Sequence, residues 1–161
     1  MKDRTSDIAR GALSAAYSMK GIVYYNLLRE FCQPWSDSKA SELPGIPIVD
    51  RFGINDKPTR GTIRQTYDYA KAQFEAALAL NPTDPKYIFT EWIIKAYEAK
   101  LEFWCQNWDR VISLCEDIIA HSGISLTPIS EYAGMINAQY DTKGEVLVRS
   151  HINNSSELDW Y

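Results

Sequence analysis

The sequence predicts a mainly α-helical fold: an irregular array of paired helices with one long proline-rich loop and a short C-terminal strand. Three observations point there. Ala70, Phe74 and Ala77 fall at i, i+4 and i+7 ahead of Pro82. That spacing gives a shallow helix face with one large ring, ended by a residue that cannot continue the helix. A later segment is apolar on two faces, as a helix held between two neighbours must be. Helix-start signals stand ahead of both segments.

The first helix is expected from about Ser6 to Phe31, where Ala12, Ala16, Met19, Val23, Leu27 and Phe31 recur at three- and four-residue steps and Pro34 follows. A segment from Gln33 to Gly61 comes next, with four prolines (Pro34, Pro44, Pro47, Pro58) and three glycines. Structureless connections of this length are uncommon unless they work, so the loop is the place to look for a site. Thr62-x-x-Gln65 is a capping-box pattern and opens the second helix, whose stripe is Ile63, Tyr67, Ala70, Phe74 and Ala77. The order A-x3-F-x2-A-x4-P is that of the second helix of a tetratricopeptide repeat. Asp84-Pro85 announces the third helix, with Ile88, Trp92, Ala96, Ala99 and Phe103 on one face and Ile93, Tyr97, Leu101 and Trp104 on the other. The fourth starts near Asn107, carries Trp108, Val111, Ile112, Cys115, Ile118 and Ile119, and closes at Gly123, a residue suited to the left-handed helix end. Val111 and Cys115 repeat the places of Ala70 and Phe74 at an offset of 41 residues where a regular repeat gives about 34.

Residues 1–123 therefore read as a helical region with insertion 33–61. Residues 124–161 read as an irregular segment with a short strand over Glu145–Arg149, a loop at Asn153–Ser156 and a terminal Trp160-Tyr161. A lone strand has nothing to pair with, so this segment is expected to be the start of something longer.

Composition excludes several classes. Hydrophobic residues make up 45% and charged residues 24% of 161, an ordinary globular balance in which aromatics, at 12%, are prominent. Net charge is −4 and no Lys/Arg run occurs, which argues against a nucleic-acid partner. No apolar stretch reaches the roughly 18 residues that span a bilayer, and no signal peptide is visible, so the chain as written is expected to be soluble. Cys32, Cys105 and Cys115 are too sparse for a disulfide framework. Their apolar contexts suggest buried free thiols, although a helix hairpin would also admit a Cys105–Cys115 bridge.

The residues also carry a resemblance. Met19 to Cys32 (MKGIVYYNLLREFC) resembles the first long helix of the SusD/RagB family, surface lipoproteins of Gram-negative bacteria that help take up nutrients. Gly45-Ile46-Pro47-Ile48-Val49 is similar to that family's G-x-P-x-V segment, and Arg60-x-Thr62-x-x-x-x-Tyr67 to its R-x-T-x-x-x-x-Y helix start. Trp108 fits the aromatic of its G-D-W turn. Ser122-Gly123-Ile124-Ser125-Leu126 fits its S-G-x-x-L exit, and Glu145–Val148 its E-V-I-F strand. Lys20, Cys32 and Gln106-Asn107 depart from the usual Arg, Gly and Gly-Asp. Family members run to several hundred residues, so the resemblance implies that this chain is the helical segment, with a loop-rich half and a lipidated leader lying outside it.

What the resemblance implies is non-catalytic binding of oligosaccharide (peptide in some members) and delivery to a SusC-like TonB-dependent transporter. The implied location is the cell-surface side of the outer membrane, held by a lipid anchor. The residues agree in holding no catalytic constellation, no phosphate loop and no cofactor motif. His121 and Asp117 lie one turn apart but lack further metal ligands nearby, and His151 is remote, so no metal site is expected. Glu98, Glu102, Glu116 and Asp117 are expected on solvated helix faces. Tyr24, Tyr25, Trp92, Trp104 and Trp108 are expected in the core. Trp35, in the long loop, is the candidate ligand-binding residue, because an aromatic ring stacks on the apolar face of a sugar; its competing role is to fold back onto the helices. The alternative to nutrient binding is a stand-alone repeat adaptor that holds a protein or peptide partner in its helical groove.

Overall fold

A computed structural model of the chain describes residues 6–51, 53–82, 89–137 and 144–148. It divides into two compact units, Met1–Glu116 and Asp117–Tyr161. The fold is mainly α, as expected from the sequence.

In the first unit, α1 (Asp7–Phe31) starts at Ser6, whose hydroxyl accepts the Ala9 N–H. Its inward face differs from the expected one. Gly11, Ser14, Ser18 and Gly21 are buried with Ile22, Tyr25 and Leu28, while Met19, Val23 and Phe31 are 50%, 43% and 64% exposed. The reason is volume. A Cβ on Gly21 would lie 2.7 Å from the Phe74 ring, so only a seam of small side chains admits that ring. Ser14 stays satisfied there by donating to the Ala77 carbonyl at 3.0 Å, and Ser18 by donating to Ser14.

The loop after α1 is not structureless. Residues 37–42 form turns, and β1 (Pro44–Pro47) pairs antiparallel with β2 (Arg60–Thr62), Pro44 opposite Thr62 and Pro47 opposite Arg60. Prolines are tolerated because this two-stranded ribbon is all edge. Trp35, Ala40 and Ile46 of this segment enter the core. α2 (Ile63–Leu78) opens with the expected capping box, and the Leu43 and Ala40 carbonyls take up its Ile63 and Arg64 amides. Its whole expected stripe is buried.

The expected start of the next helix, Asp84-Pro85 with Ile88, lies outside the described residues; the described helix, α3 (Glu91–Trp104), begins after Thr90. It is two-faced as expected, with Ile93, Ile94, Ala99 and Leu101 buried and Trp92, Tyr97 and Trp104 half-buried, but Phe103, expected on one of the two inward faces, is 60% exposed because it lies at the open end of the helix. Glu98 and Glu102 overturn their expectation: both are fully buried. α4 (Trp108–His121) buries only Leu114, whereas Ile112, Cys115 and Ile119 face solvent and Trp108 is half out. Its register with the Ala70/Phe74 stripe is therefore one of sequence and not of packing. All three thiols are free, and only Cys105 is buried.

In the second unit Gly123 has the expected left-handed φ of 73°, and α5 (Ile129–Asn137) is an unexpected helix. The strand expected over Glu145–Arg149 is absent from Glu145–Val148. Gly144 turns the chain at φ 67°, and the Glu145 N–H goes to the Thr127 hydroxyl (3.2 Å) instead of to a ladder partner. Arg149, His151, Asn153–Ser156, Trp160 and Tyr161 lie outside the described residues.

Candidate ligand-binding groove

Two of the motifs singled out in the sequence meet in one bracket. Arg60 Nε donates to the Gly45 carbonyl at 2.7 Å. The Thr66 hydroxyl accepts the Ile46 N–H at 2.9 Å and donates to the Thr62 carbonyl at 3.0 Å. Gly45 must be glycine, since an added Cβ would lie 2.2 Å from the Thr62 carbonyl oxygen. From α1, the Tyr24 hydroxyl donates to the Pro47 carbonyl (3.2 Å) and accepts the Val49 N–H (2.8 Å). The β1–β2 ribbon is thus bolted to both α1 and α2.

Beside this bracket lies an open groove of about 840 Å³, walled by Ile48, the Lys57–Gly61 run and Gln65, Asp68 and Tyr69 of α2. A second hollow of about 380 Å³ shares Ile48, Lys57 and Pro58 and reaches Asp50 and Arg51. Asp50 joins three elements: its carboxylate accepts from the Tyr69 hydroxyl and from Lys20 Nζ at 3.0 Å. The Tyr69 hydrogen bond, then the Lys20 ammonium, hold the Asp50 carboxyl below the usual range. Tyr69 is pushed up, first by burial and then by its bond to Asp50. Its ring rests edge-on against Tyr24, with centroids 4.8 Å apart, which braces this side of the groove on α1. The lining offers an ammonium, a guanidinium, an amide, a hydroxyl and a carboxylate around one aromatic. That inventory binds by many hydrogen bonds and short apolar contacts, and it pairs no nucleophile with a base.

Trp35 is not part of this wall. Its ring is 7% exposed, 5.2 Å from Tyr67 and 6.1 Å from Trp104, with the Arg64 guanidinium 4.5 Å over it. Its Nε1–H donates to Asp37 at 2.9 Å. No face is left for a sugar, because the indole's large apolar area is better satisfied against the helices. Trp35 is a loop anchor in this structure.

His121 Nδ1 lies 2.9 Å from Asp117 Oδ1, and no group of three or more ligating side chains occurs among the described residues. What sequence reading missed is the polar seam behind the groove. Glu102 accepts from Tyr67 (2.9 Å) and Asn107 (2.9 Å) and pairs with Lys71 (2.9 Å). Glu98 Oε1 takes Nε (3.0 Å) and Nη2 (2.7 Å) of Arg110, and Glu98 Oε2 finds no partner among the described residues. Burial, then Glu102, pushes the Tyr67 hydroxyl up to about 12. Burial opposes the Lys71 charge, but Glu102 outweighs it and raises Lys71 to about 12. The available signal was position: Glu98 and Glu102 straddle Leu101 on the inward face of α3.

No family model and no curated protein matches the chain. Among solved structures, a SusD superfamily protein from Bacteroides thetaiotaomicron VPI-5482 superposes with a TM-score of 0.73, at 23% identity, over 82% of this chain. The helical fold is therefore SusD-like. The chain spans 30% of that protein's length.

Proposed function

We propose that this chain is the helical scaffold of a non-catalytic nutrient-binding protein. It takes oligosaccharide outside the cell and passes it to a SusC-like TonB-dependent transporter in the outer membrane, where a lipid anchor holds the protein on the surface side. The observation that carries this reading is the SusD-like fold, with the G-x-P-x-V and R-x-T-x-x-x-x-Y segments locked together beside a polar groove. The groove's mixed hydrogen-bonding lining suits a polyhydroxylated ligand, and Trp35 serves it indirectly by pinning the loop. Calorimetric titration with a glycan panel tests it. Binding with a dissociation constant near 1 mM, about 4 kcal/mol, that weakens on Tyr69→Ala is expected. Absence of binding to any glycan, together with failure to retain a TonB-dependent transporter from outer-membrane extracts, would overturn it.

A second reading, a repeat adaptor for a protein partner, is favoured by one observation. The outer stripe of α1 leaves Met19, Val23 and Phe31 largely exposed. Saturable binding of a peptide with no response to any glycan would select it.

A further inference from the structure

Between the two hollows stands a strap, residues 53–59, held at its roots and little tied between them. One root is Asp50, fixed by Tyr69 and Lys20; the other is Arg60, fixed on the Gly45 carbonyl at 2.7 Å. Within the strap the Asp56 N–H donates to the Gly53 carbonyl at 3.1 Å, and the Asp56 carboxylate lies where a side chain on Gly53 would be. The tip is therefore one small turn. Among the described residues no hydrogen bond or ion pair joins residues 53–59 to a helix, and none of them enters the core.

Lys57 and Pro58 of this strap wall both hollows, so there is open space on either side of it. Ile54, at the tip, is 86% exposed and borders neither. Asp68 stands on the α2 wall of the larger hollow, and neither it nor Lys57 has an ion partner among the described residues. Opposite charges on opposing walls of one groove attract, and more strongly as water leaves. A segment with few contacts and an apolar tip in solvent belongs to the least stable part of a fold. Its pinned roots limit the entropy lost when it orders.

We propose that residues 53–59 close over the groove as a hinged strap, turning about Asp50 and Arg60 and latching when Lys57 pairs with Asp68. Closure draws Ile54 out of water toward the groove, which supplies its drive. The open form is the one described here, and a ligand held between the Tyr69 wall and the strap shifts the population toward the closed one. Closing slows the ligand's departure more than its entry. This rests on the groove being the ligand site named above, whereas the motion itself needs no ligand.

The test puts a thiol at each end of the latch. Lys57→Cys with Asp68→Cys, both at exposed positions, keeps the fold and is oxidised with copper phenanthroline. Peptide mapping reads which thiols have paired, Cys32, Cys105 and Cys115 included. A bridge between positions 57 and 68 is expected in the ligand-free chain, since a disulfide forms only when the two Cα atoms come within about 7 Å. No such bridge, with or without glycan, overturns the strap. Maltohexaose, cellohexaose, mannohexaose and xylohexaose then serve as probes. Bridging before a glycan is added is expected to exclude it, and bridging afterwards to retain it through gel filtration until reductant is supplied. Separately, Lys57→Glu is expected to weaken binding about threefold, and Lys57→Glu with Asp68→Lys to restore it. A glycan that binds bridged and reduced chains equally, or a charge exchange that restores nothing, would remove the strap and leave the oligosaccharide reading standing. If none of the four glycans binds, the oligosaccharide reading falls and the bridge alone decides whether the strap closes.

Discussion

Single residues separate two kinds of aromatic in this chain. Trp35 and Trp108 look alike in sequence, each a tryptophan near a turn, yet one is sealed between Tyr67, Trp104 and Arg64 and the other stands half in solvent. Trp35→Ala empties a buried site and is expected to cost about 3–5 kcal/mol, read as a lower urea midpoint, whereas Trp108→Ala, which removes a half-exposed ring resting on Phe103, is expected to cost about 1 kcal/mol. Equal losses at the two positions would contradict their assignment. Gly45→Ala drives a Cβ against the Thr62 carbonyl and is expected to cost about 1–3 kcal/mol by parting β1 from β2. Thr62 was legible because its cap acts within one turn, whereas Gly45 and Arg60 were visible only through the family's motifs, since their contact joins residues 15 apart in sequence. Trp35 was not, since burial depends on Tyr67 and Trp104, which are distant in sequence.

Elements were legible wherever capping and spacing acted alone. The α2 stripe and the Thr62–Gln65 box appear where the pattern put them. The α1 face did not, because periodicity finds an apolar stripe but does not tell which face a neighbour can reach. Phe74 decided that contest by needing the Gly21 notch. Two changes at this seam test the argument. Gly21→Ala and Phe74→Leu are each expected to destabilise, by about 1–3 and 1–2 kcal/mol, but together by less than their sum, because leucine frees the space the new methyl occupies. Strict additivity in urea denaturation would mean that the ring does not set the approach of α1 to α2. In the second unit the sequence pattern favoured a strand at Glu145–Val148, and its loss too has a tertiary cause, a Thr127 hydroxyl 18 residues away that takes the amide a neighbouring strand would need.

At the scale of the molecule, the groove was legible only as a suspect loop, because its walls come from residues 48 and 57–69 and are assembled by contacts to α1. The seam tying α2, α3 and α4 was not legible at all: buried carboxylates are rare enough that solvation is the reasonable expectation for any helical glutamate. Once buried, Glu102 depends on Lys71, Tyr67 and Asn107. Lys71→Met leaves that carboxylate without its cation and is expected to cost about 3 kcal/mol or more, while Lys71→Met with Glu102→Leu recovers much of the loss, because no uncompensated charge remains. The same seam predicts an alkaline limit. Lys71, raised from 10.5 to about 12 in the fold, contributes stability that is whole below pH 10.5 and is lost as pH climbs through about 12. Tyr67 keeps its proton in the fold, to about 12, after the unfolded chain begins to lose it near 10, so it pulls toward unfolding over the same window. Urea midpoints measured from pH 9 to 12 should therefore fall most steeply above about pH 10 in the parent chain and less steeply in the Lys71→Met, Glu102→Leu double variant. Parallel curves for the two proteins would mean that the alkaline limit arises elsewhere and that Glu102 does not couple α3 to α2 through its charge.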